Sequence, residues 1–107
     1  MAREIESLSK LKDLLEDNER DALLMIWGKW LDTGKDAVKT MDELAKQFKA
    51  INFWHAEILD VRDIATEYKI DQVPTFIFFK GNKEVGQREC LYNSGTKTTL
   101  YRRLQRM

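Results

Sequence analysis

The sequence predicts an α/β domain with a mixed sheet at its centre and helices on both faces of that sheet. Stretches in which apolar residues recur at helical spacing alternate with continuous apolar runs that are typical of buried strands. Strands that are separated by helices are expected to be joined by right-handed parallel crossovers. A Gly-Asn pair after the strongest strand predicts an antiparallel hairpin at the C-terminal edge of the sheet.

The first elements are predicted to be a strand, a helix and a second strand. Residues 3–6 form a short edge strand, and Ser7 precedes a helix that carries its leucines on one stripe. Residues 18–21 are polar and turn-like. Residues 22–27 are apolar throughout, which favours a strand that is covered on both faces.

The middle of the chain is predicted to form two helices on either side of a strand. Helical spacing extends over residues 36–49, and the branched and aromatic residues of 51–58 indicate a second buried strand. Asp60 is then expected to cap a short helix that reaches Tyr68.

The last elements are predicted to be a hairpin and a helix. Residues 75–80 are the strongest strand in the sequence, and the Gly-Asn turn leads from it into a partner strand over residues 83–90. A final helix starts at Ser94 or Thr96. The predicted order is therefore β-α-β-α-β-α-β-β-α.

Length and composition predict one domain that covers residues 1–107. The 18 basic and 18 acidic side chains give no net charge, whereas partners such as nucleic acids or membrane surfaces favour a basic surplus. We therefore expect neither partner. The N-terminus has no apolar signal-peptide core, and a single cysteine precludes an internal disulfide. A cytoplasmic or nuclear location is expected.

Two motifs resemble those of the thioredoxin superfamily. After the first buried strand the chain reads Trp27-Gly28-Lys29-Trp30-Leu31-Asp32-Thr33-Gly34-Lys35. This run resembles the family's Trp-Ala/Gly-x-Trp-Cys-x-x-Cys-Lys segment, with leucine and glycine at the two cysteine positions. The second motif is Val73-Pro74-Thr75, which resembles the family's Val/Ile-Pro-Thr at the start of a strand. The resemblance covers nearly the whole chain and implies a thioredoxin fold with a cis bond before Pro74.

Within the superfamily, residues 53–80 most resemble the N-terminal thioredoxin-like domain of multidomain monothiol glutaredoxins. Those proteins join such a domain, often with an altered Cys-x-x-Cys, to one or more glutaredoxin domains that carry Cys-Gly-Phe-Ser. The given sequence does not contain that module. The resemblance implies partners among glutaredoxin domains or clients of iron–sulfur and redox homeostasis.

The usual chemistry of the family is expected to be absent. Thiol–disulfide exchange needs one thiolate to attack and a second thiol to resolve the mixed disulfide. Leu31 offers no nucleophile, Gly34 has no side chain, and Met25 stands at the strand position that resembles the family's buried acid. We therefore expect no enzyme activity, no catalytic residue, no metal and no cofactor.

Three other candidate sites have simpler interpretations. Asp32, Thr33 and Gly34 match the Asp-Thr-Gly of aspartic proteases, but a helical pattern follows them, which favours capping of that helix by Asp32 or Thr33. The sole histidine, His55, lies on a predicted strand without a spaced metal or nucleophile partner. Cys90 is either a small buried apolar residue or a regulatory thiol.

A binding groove is predicted around the former cysteine positions. Trp30 is an amphipathic aromatic in a loop, a residue type enriched at interfaces. The resemblance implies that the backbone before the cis proline is open to an added strand. Leu91 or Tyr92 stands where the resembling family has a glycine-containing loop along the groove wall, so we expect either a narrower groove or an added apolar protrusion. The predicted groove comprises Trp30, Leu31, Asp32, Thr33, Val73, Pro74, Leu91 and Tyr92.

The function expected from these features is a redox-inactive, thioredoxin-like module that binds other proteins. One alternative is a phosducin-like or disulfide-isomerase-like domain, since both families also contain non-catalytic thioredoxin folds. Phosducin-like proteins usually carry a helical extension, and the isomerase alternative requires secretion. A third alternative is a redox-regulated protein that acts through Cys90.

Overall fold

The computed structural model describes residues 2–90 and 92–107, and these residues form the predicted elements in the predicted order. Ser7 caps the first helix as expected, because its hydroxyl accepts a hydrogen bond from the backbone N–H of Lys10 at 3.1 Å. No helix within the described ranges is long and apolar enough to cross a membrane. The elements are β1 (Arg3–Glu4), α1 (Leu8–Glu16), β2 (Asp21–Trp27), α2 (Gly34–Gln47), β3 (Asn52–Glu57), α3 (Asp63–Glu67), β4 (Thr75–Lys80), β5 (Lys83–Glu84) and α4 (Thr96–Gln105).

The strands form one mixed sheet in the order β1-β3-β2-β4-β5. The strands β1, β3 and β2 are parallel, whereas β4 runs antiparallel to β2 and β5 antiparallel to β4. The expectation that every helix-separated strand is parallel was therefore wrong for β4. The reason is that α3 has only 5 residues. A helix of that length spans about 7.5 Å, too little to return along a strand of about 20 Å.

Side chains of the sheet alternate between two cores, so the prediction of helices on both faces is confirmed. On one face, Leu24, Ile26 and Ile77 join the buried leucines of α1 and Ile64 of α3 in one cluster. On the other face, a second cluster joins β2 and β4 to α2 and α4. Its buried members are Leu23, Met25, Ala37, Met41, Leu44, Phe53, Phe76, Phe78, Leu100 and Leu104.

The last strand is much shorter than predicted. Regular pairing ends at Glu84, and Gly86 adopts a left-handed backbone conformation with φ of 68°. Pairing returns at a single bridge between Phe76 and Glu89, two residues further along than an unbroken ladder would place it. Arg88 lies in the resulting bulge. Its guanidinium pairs with the Glu84 carboxylate and donates to the backbone carbonyl of Tyr68, directly after α3.

The short helix α3 does not begin as predicted. Its N-cap residue is Arg62, and the helix proper starts at Asp63. Asp60 does not cap it: its carboxylate forms an ion pair with Lys29 at 3.6 Å, and its backbone N–H donates to the side chain of Glu57 at 3.1 Å. The loop before α3 is thus organised by the end of β3.

Candidate functional site

The two sequence motifs meet at one edge of the sheet. Strands β2 and β3 are parallel and end side by side, with Trp27 opposite Glu57. Strand β4 runs the other way and therefore begins at this edge, with Thr75 opposite Ile26. The loop that follows Trp27 and the Val73–Pro74 pair that precedes Thr75 thus emerge together. We call the surface they form, with Tyr92 beside α2, the candidate face.

Trp30 is the most exposed large apolar side chain of this face, at 54%. Its ring lies over Gly28, where an added Cβ would stand 2.5 Å from the ring atoms Cη2 and Cζ3. The backbone N–H of Leu31 donates to the Gly28 carbonyl at 3.2 Å and closes the turn that carries the indole. Glycine at position 28 therefore lets Trp30 rest on the main chain. Leu31 itself is half-buried.

The two positions that resemble the family's cysteines carry no thiol. Leu31 has no reactive atom, and Gly34 begins α2 directly beneath the preceding loop. A Cβ at Gly34 would lie 2.7 Å from the Gly28 carbonyl oxygen and 3.1 Å from the Trp27 ring. The loop therefore packs so closely against position 34 that a side chain there would collide with it. Met25, at the position of the family's buried acid, is fully buried.

The start of α2 differs from the expected cap. Thr33 is the N-cap residue, and its carbonyl accepts a hydrogen bond from the Ala37 N–H at 2.9 Å, but its backbone is helical and its side chain makes no capping hydrogen bond. Asp32 and Thr33 are both exposed. They are therefore free to contact another molecule at the candidate face.

The backbone before β4 offers unpaired polar groups. The Val73–Pro74 peptide bond is cis, with Pro74 buried and Val73 half-buried. The Thr75 hydroxyl donates to the carbonyl of Gln72 at 2.6 Å. Neither the N–H nor the C=O of Val73 is hydrogen-bonded to any residue of 2–90 or 92–107. Such groups are the requirement for pairing with an added extended segment.

The predicted groove wall is only partly described. Leu91 lies outside the described residues. Tyr92 is half-buried and packs against the α2–α4 core, and its hydroxyl is hydrogen-bonded to that of Thr40 at 2.9 Å. This bond joins the loop before α4 to α2.

Cys90 and His55 have different surroundings. Cys90 is half-buried, and the Thr75 hydroxyl approaches its Sγ at 4.0 Å. His55 is buried, and its Nδ1 accepts a hydrogen bond from the Trp27 indole N–H at 3.2 Å. Burial lowers the pKa of His55, while the negative charges of Glu4 and Asp42 partly oppose that shift. A neutral imidazole that orients Trp27 fits a structural role.

No role was predicted for Glu57, whose carboxylate accepts three backbone hydrogen bonds near the face. It is 5% exposed, and its carboxylate accepts from the backbone N–H groups of Lys29, Leu59 and Asp60. Burial tends to raise the pKa of Glu57, but the three backbone hydrogen bonds and the Lys29 charge lower it overall. The signal for this role was a lone carboxylate at the end of the otherwise buried run 51–58.

Two cavities of the structure lie outside the candidate face. A cavity of about 730 Å³ lies at the opposite end of the sheet, where Arg20, Asn52 and Lys49 line it. A smaller one of about 230 Å³ lies between β4 and α4. No group of three or more potential metal ligands occurs among residues 2–90 and 92–107.

The sheet order, the helices on both faces and the Trp-x-x-Trp loop at the end of β2 define a thioredoxin-like domain. A family model described as Thioredoxin matches residues 4–105. The chain belongs to the thioredoxin family.

Individual proteins show the same kinship. The chain is similar to human glutaredoxin-3, with 29% identity over 83 residues that make up 77% of this chain and 25% of that protein. It is also similar to Saccharomyces cerevisiae thioredoxin-2, with 25% identity over 85 residues that make up 79% of this chain and 82% of that protein. The solved structure of Fasciola hepatica thioredoxin shares 24% identity with a TM-score of 0.86 and covers 97% of both chains, which shows the common fold.

The chain thus spans about a quarter of the length of the glutaredoxin-3 proteins it matches. The suspected resemblance to the thioredoxin-like domain of such proteins is confirmed.

Proposed function

We propose that this chain is a redox-inactive, thioredoxin-like module that binds an extended segment of a partner protein at the candidate face. The observation that carries the proposal is the exposed Trp30 at the same sheet edge as the unpaired backbone groups of Val73. An extended segment can pair with the Val73 backbone, and an apolar side chain of that segment can pack on the indole.

The absence of a dithiol supports a binding role over a catalytic one. Leu31 and Gly34 occupy the positions that resemble the family's cysteines, and a side chain at position 34 would meet the Gly28 carbonyl. The chain has one cysteine, so an intramolecular resolving thiol does not exist. The features that could still serve binding are the exposed Trp30 and the unpaired backbone of Val73.

The similarity to glutaredoxin-3 supports a proposal for the class of the partner. The chain is similar to about a quarter of glutaredoxin-3, and its resemblance is to proteins that join this domain to glutaredoxin domains with Cys-Gly-Phe-Ser. We therefore propose a monothiol glutaredoxin domain, or a client of such a domain in iron–sulfur or redox homeostasis, as the partner. A cytoplasmic or nuclear location is part of this proposal. Neither a nucleic acid nor a membrane is required.

The test uses three forms of the intact chain: the original, a Trp30→Ala, Val73→Asp double variant, and a Tyr101→Ala control. Tyr101 is an exposed aromatic on α4, away from the candidate face. Each form is titrated with a purified monothiol glutaredoxin domain, and each is used to capture proteins from native cytosol. Circular dichroism verifies that all three are folded.

We expect the double variant to lose affinity by about tenfold or more, since truncation of a central aromatic typically costs that much. The Tyr101→Ala control should bind as the original does. Equal binding by all three forms would show that another surface carries the interaction. Captured proteins unrelated to glutaredoxins would instead favour the phosducin-like or isomerase-like alternative for the partner class. A partner lost only after Cys90→Ser would favour regulation through the thiol.

A further inference from the structure

A second exposed apolar side chain lies in the loop that follows β3. Leu59 is 46% exposed, and Trp30 is 54% exposed. Among residues 2–90 and 92–107 the only other large apolar side chain in this class is Tyr101, at 36%, on α4. Because β2 and β3 are parallel neighbours, Trp30 and Leu59 follow strands that end side by side.

Glu57 connects the two loops that carry these side chains. Its Oε2 accepts a hydrogen bond from the backbone N–H of Lys29 at 2.8 Å, directly before Trp30. Its Oε1 accepts from the backbone N–H of Leu59 and, at 3.1 Å, from that of Asp60. One buried carboxylate therefore holds the main chain next to Trp30 and the main chain of Leu59 itself.

Other contacts reinforce this connection at the main chain and at the surface. The backbone N–H of Ile58 donates to the carbonyl of Trp27 at 2.8 Å. The Lys29 ammonium and the Asp60 carboxylate form an exposed ion pair at 3.6 Å, which contributes little by itself because both groups are well solvated. The buried carboxylate is the stronger link, because its bonds are charge-assisted and shielded from water.

Such a link has a consequence for binding. A loop that is free to move must be ordered when a partner docks, and that ordering lowers the affinity. The Glu57 bonds order both loops beforehand, while the ring of Trp30 rests on Gly28. The two apolar side chains are thus presented at a fixed separation in the unbound protein.

We infer that Leu59 and Trp30 together contact the extended segment of the partner, and that Glu57 is the positioning residue that fixes them relative to one another. This inference rests on the proposed function. The occupant is an extended segment with two apolar side chains, since the Val73 backbone offers pairing for a strand and Trp30 and Leu59 offer two apolar contacts.

The experiment uses a peptide as its probe, selected on the intact chain from a displayed library of random sequences. Its dissociation constant is measured by calorimetry for the original chain and for Trp30→Ala, Leu59→Ser, Glu57→Gln and Tyr101→Ala. The amide proton shifts of Lys29 and Leu59 are recorded for each form by NMR. All measurements are made where denaturation curves show each form to be fully folded.

We expect Trp30→Ala and Leu59→Ser each to weaken binding by about tenfold, and Tyr101→Ala to leave it unchanged. In Glu57→Gln the side chain has one acceptor oxygen, and its NH2 group cannot accept, so the contact to one of the two loops is lost. The amide proton of Lys29 or that of Leu59 should then shift upfield while binding weakens. A purely structural role would lower stability and leave the affinity of the folded protein unchanged.

The outcomes separate the two proposals. Weaker binding by Trp30→Ala with unchanged binding by Leu59→Ser and Glu57→Gln overturns this inference and leaves the proposed function standing. Unchanged binding by Trp30→Ala, or no selected peptide that binds the intact chain, overturns both. Should Glu57→Gln fail to fold, Leu59→Ser still decides whether Leu59 belongs to the surface.

Discussion

Gly34 occupies the position that resembles the family's second cysteine, and its surroundings leave no room for a side chain. The position that resembles the second cysteine is filled by the one residue type without a Cβ, and the Gly28 carbonyl occupies the space a Cβ would need. The substitution therefore removes more than a thiol. The main chain of the loop has settled against the start of α2, so a side chain cannot be restored there without moving the loop.

A Gly34→Ala variant is expected to be less stable than the original chain. Alanine is a better helix former than glycine by about 1 kcal/mol at an interior position, and by less at the first residue of a helix. The contact of 2.7 Å with the Gly28 oxygen acts against it, and overpacking of this kind costs about 1–3 kcal/mol. We expect a net loss of about 1 kcal/mol or more in the free energy of unfolding, measured by urea denaturation.

Lys35→Ala is the matched control for this prediction. Lys35 is the next residue of α2 and is exposed, so its truncation should change stability by less than about 0.5 kcal/mol. A stabilised Gly34→Ala variant would show that the loop yields readily, and that room for a side chain exists.

Single residues also mark where the sequence was informative about the site. The positions of Trp30, Leu31 and Gly34 could be assigned because each lies within a motif of fixed spacing. Glu57 and Leu59 could not, because their role depends on hydrogen bonds between two loops that are far apart in sequence. A pattern of residue types along one segment does not encode such bonds.

At the scale of elements, local sequence predicted the strands and helices that are long and strongly patterned. Strand β4 was predicted with its observed bounds, Thr75–Lys80, and β2 with a difference of one residue. The prediction failed at β5, where Gly86 breaks the ladder, and at the start of α3, where Glu57 engages Asp60. In both cases a tertiary contact or a left-handed residue overrode the local pattern.

The contact between neighbouring strands β2 and β3 makes stability sensitive to pH. His55 on β3 accepts a hydrogen bond from Trp27 on β2, and burial lowers the pKa of His55 from its ordinary value of 6.5. The unfolded chain therefore takes up a proton at a higher pH than the folded chain does. The contribution of His55 to stability is fully present above about pH 6.5 and is lost as the pH falls through the lowered folded-state pKa.

We accordingly expect the free energy of unfolding to decrease from about pH 7.5 to about pH 5.5, by at most about 1.4 kcal/mol per pH unit from this group. The His55→Asn variant keeps a hydrogen-bond acceptor for Trp27 and does not titrate, so its stability should depend less on pH. Urea denaturation of both forms at each pH measures the difference. Parallel pH profiles would show that carboxylates, rather than His55, determine the acid sensitivity.

At the scale of the whole molecule, the fold does not depend on the chemistry that the family usually performs. Both cores are built from apolar side chains of the sheet and four helices, and Cys90 belongs to neither. The fold class and the family were therefore predictable from the apolar pattern and two motifs. The candidate face was predictable only as a set of residues, since its arrangement arises when β4 turns antiparallel and brings Val73 to the end of β2.

The intact chain should therefore fail to accelerate the reduction of insulin disulfides by dithiothreitol. Cys90 is half-buried and is the sole thiol, so any mixed disulfide it formed would have no intramolecular thiol to resolve it. The aggregation of reduced insulin is followed by turbidity, with Saccharomyces cerevisiae thioredoxin-2 in parallel as the positive control. The Cys90→Ser variant should give the same background rate as the original chain. A rate above background that Cys90→Ser abolishes would mean that Cys90, next to the Phe76–Glu89 bridge, carries a redox activity. The candidate face would then serve a substrate rather than a stable partner.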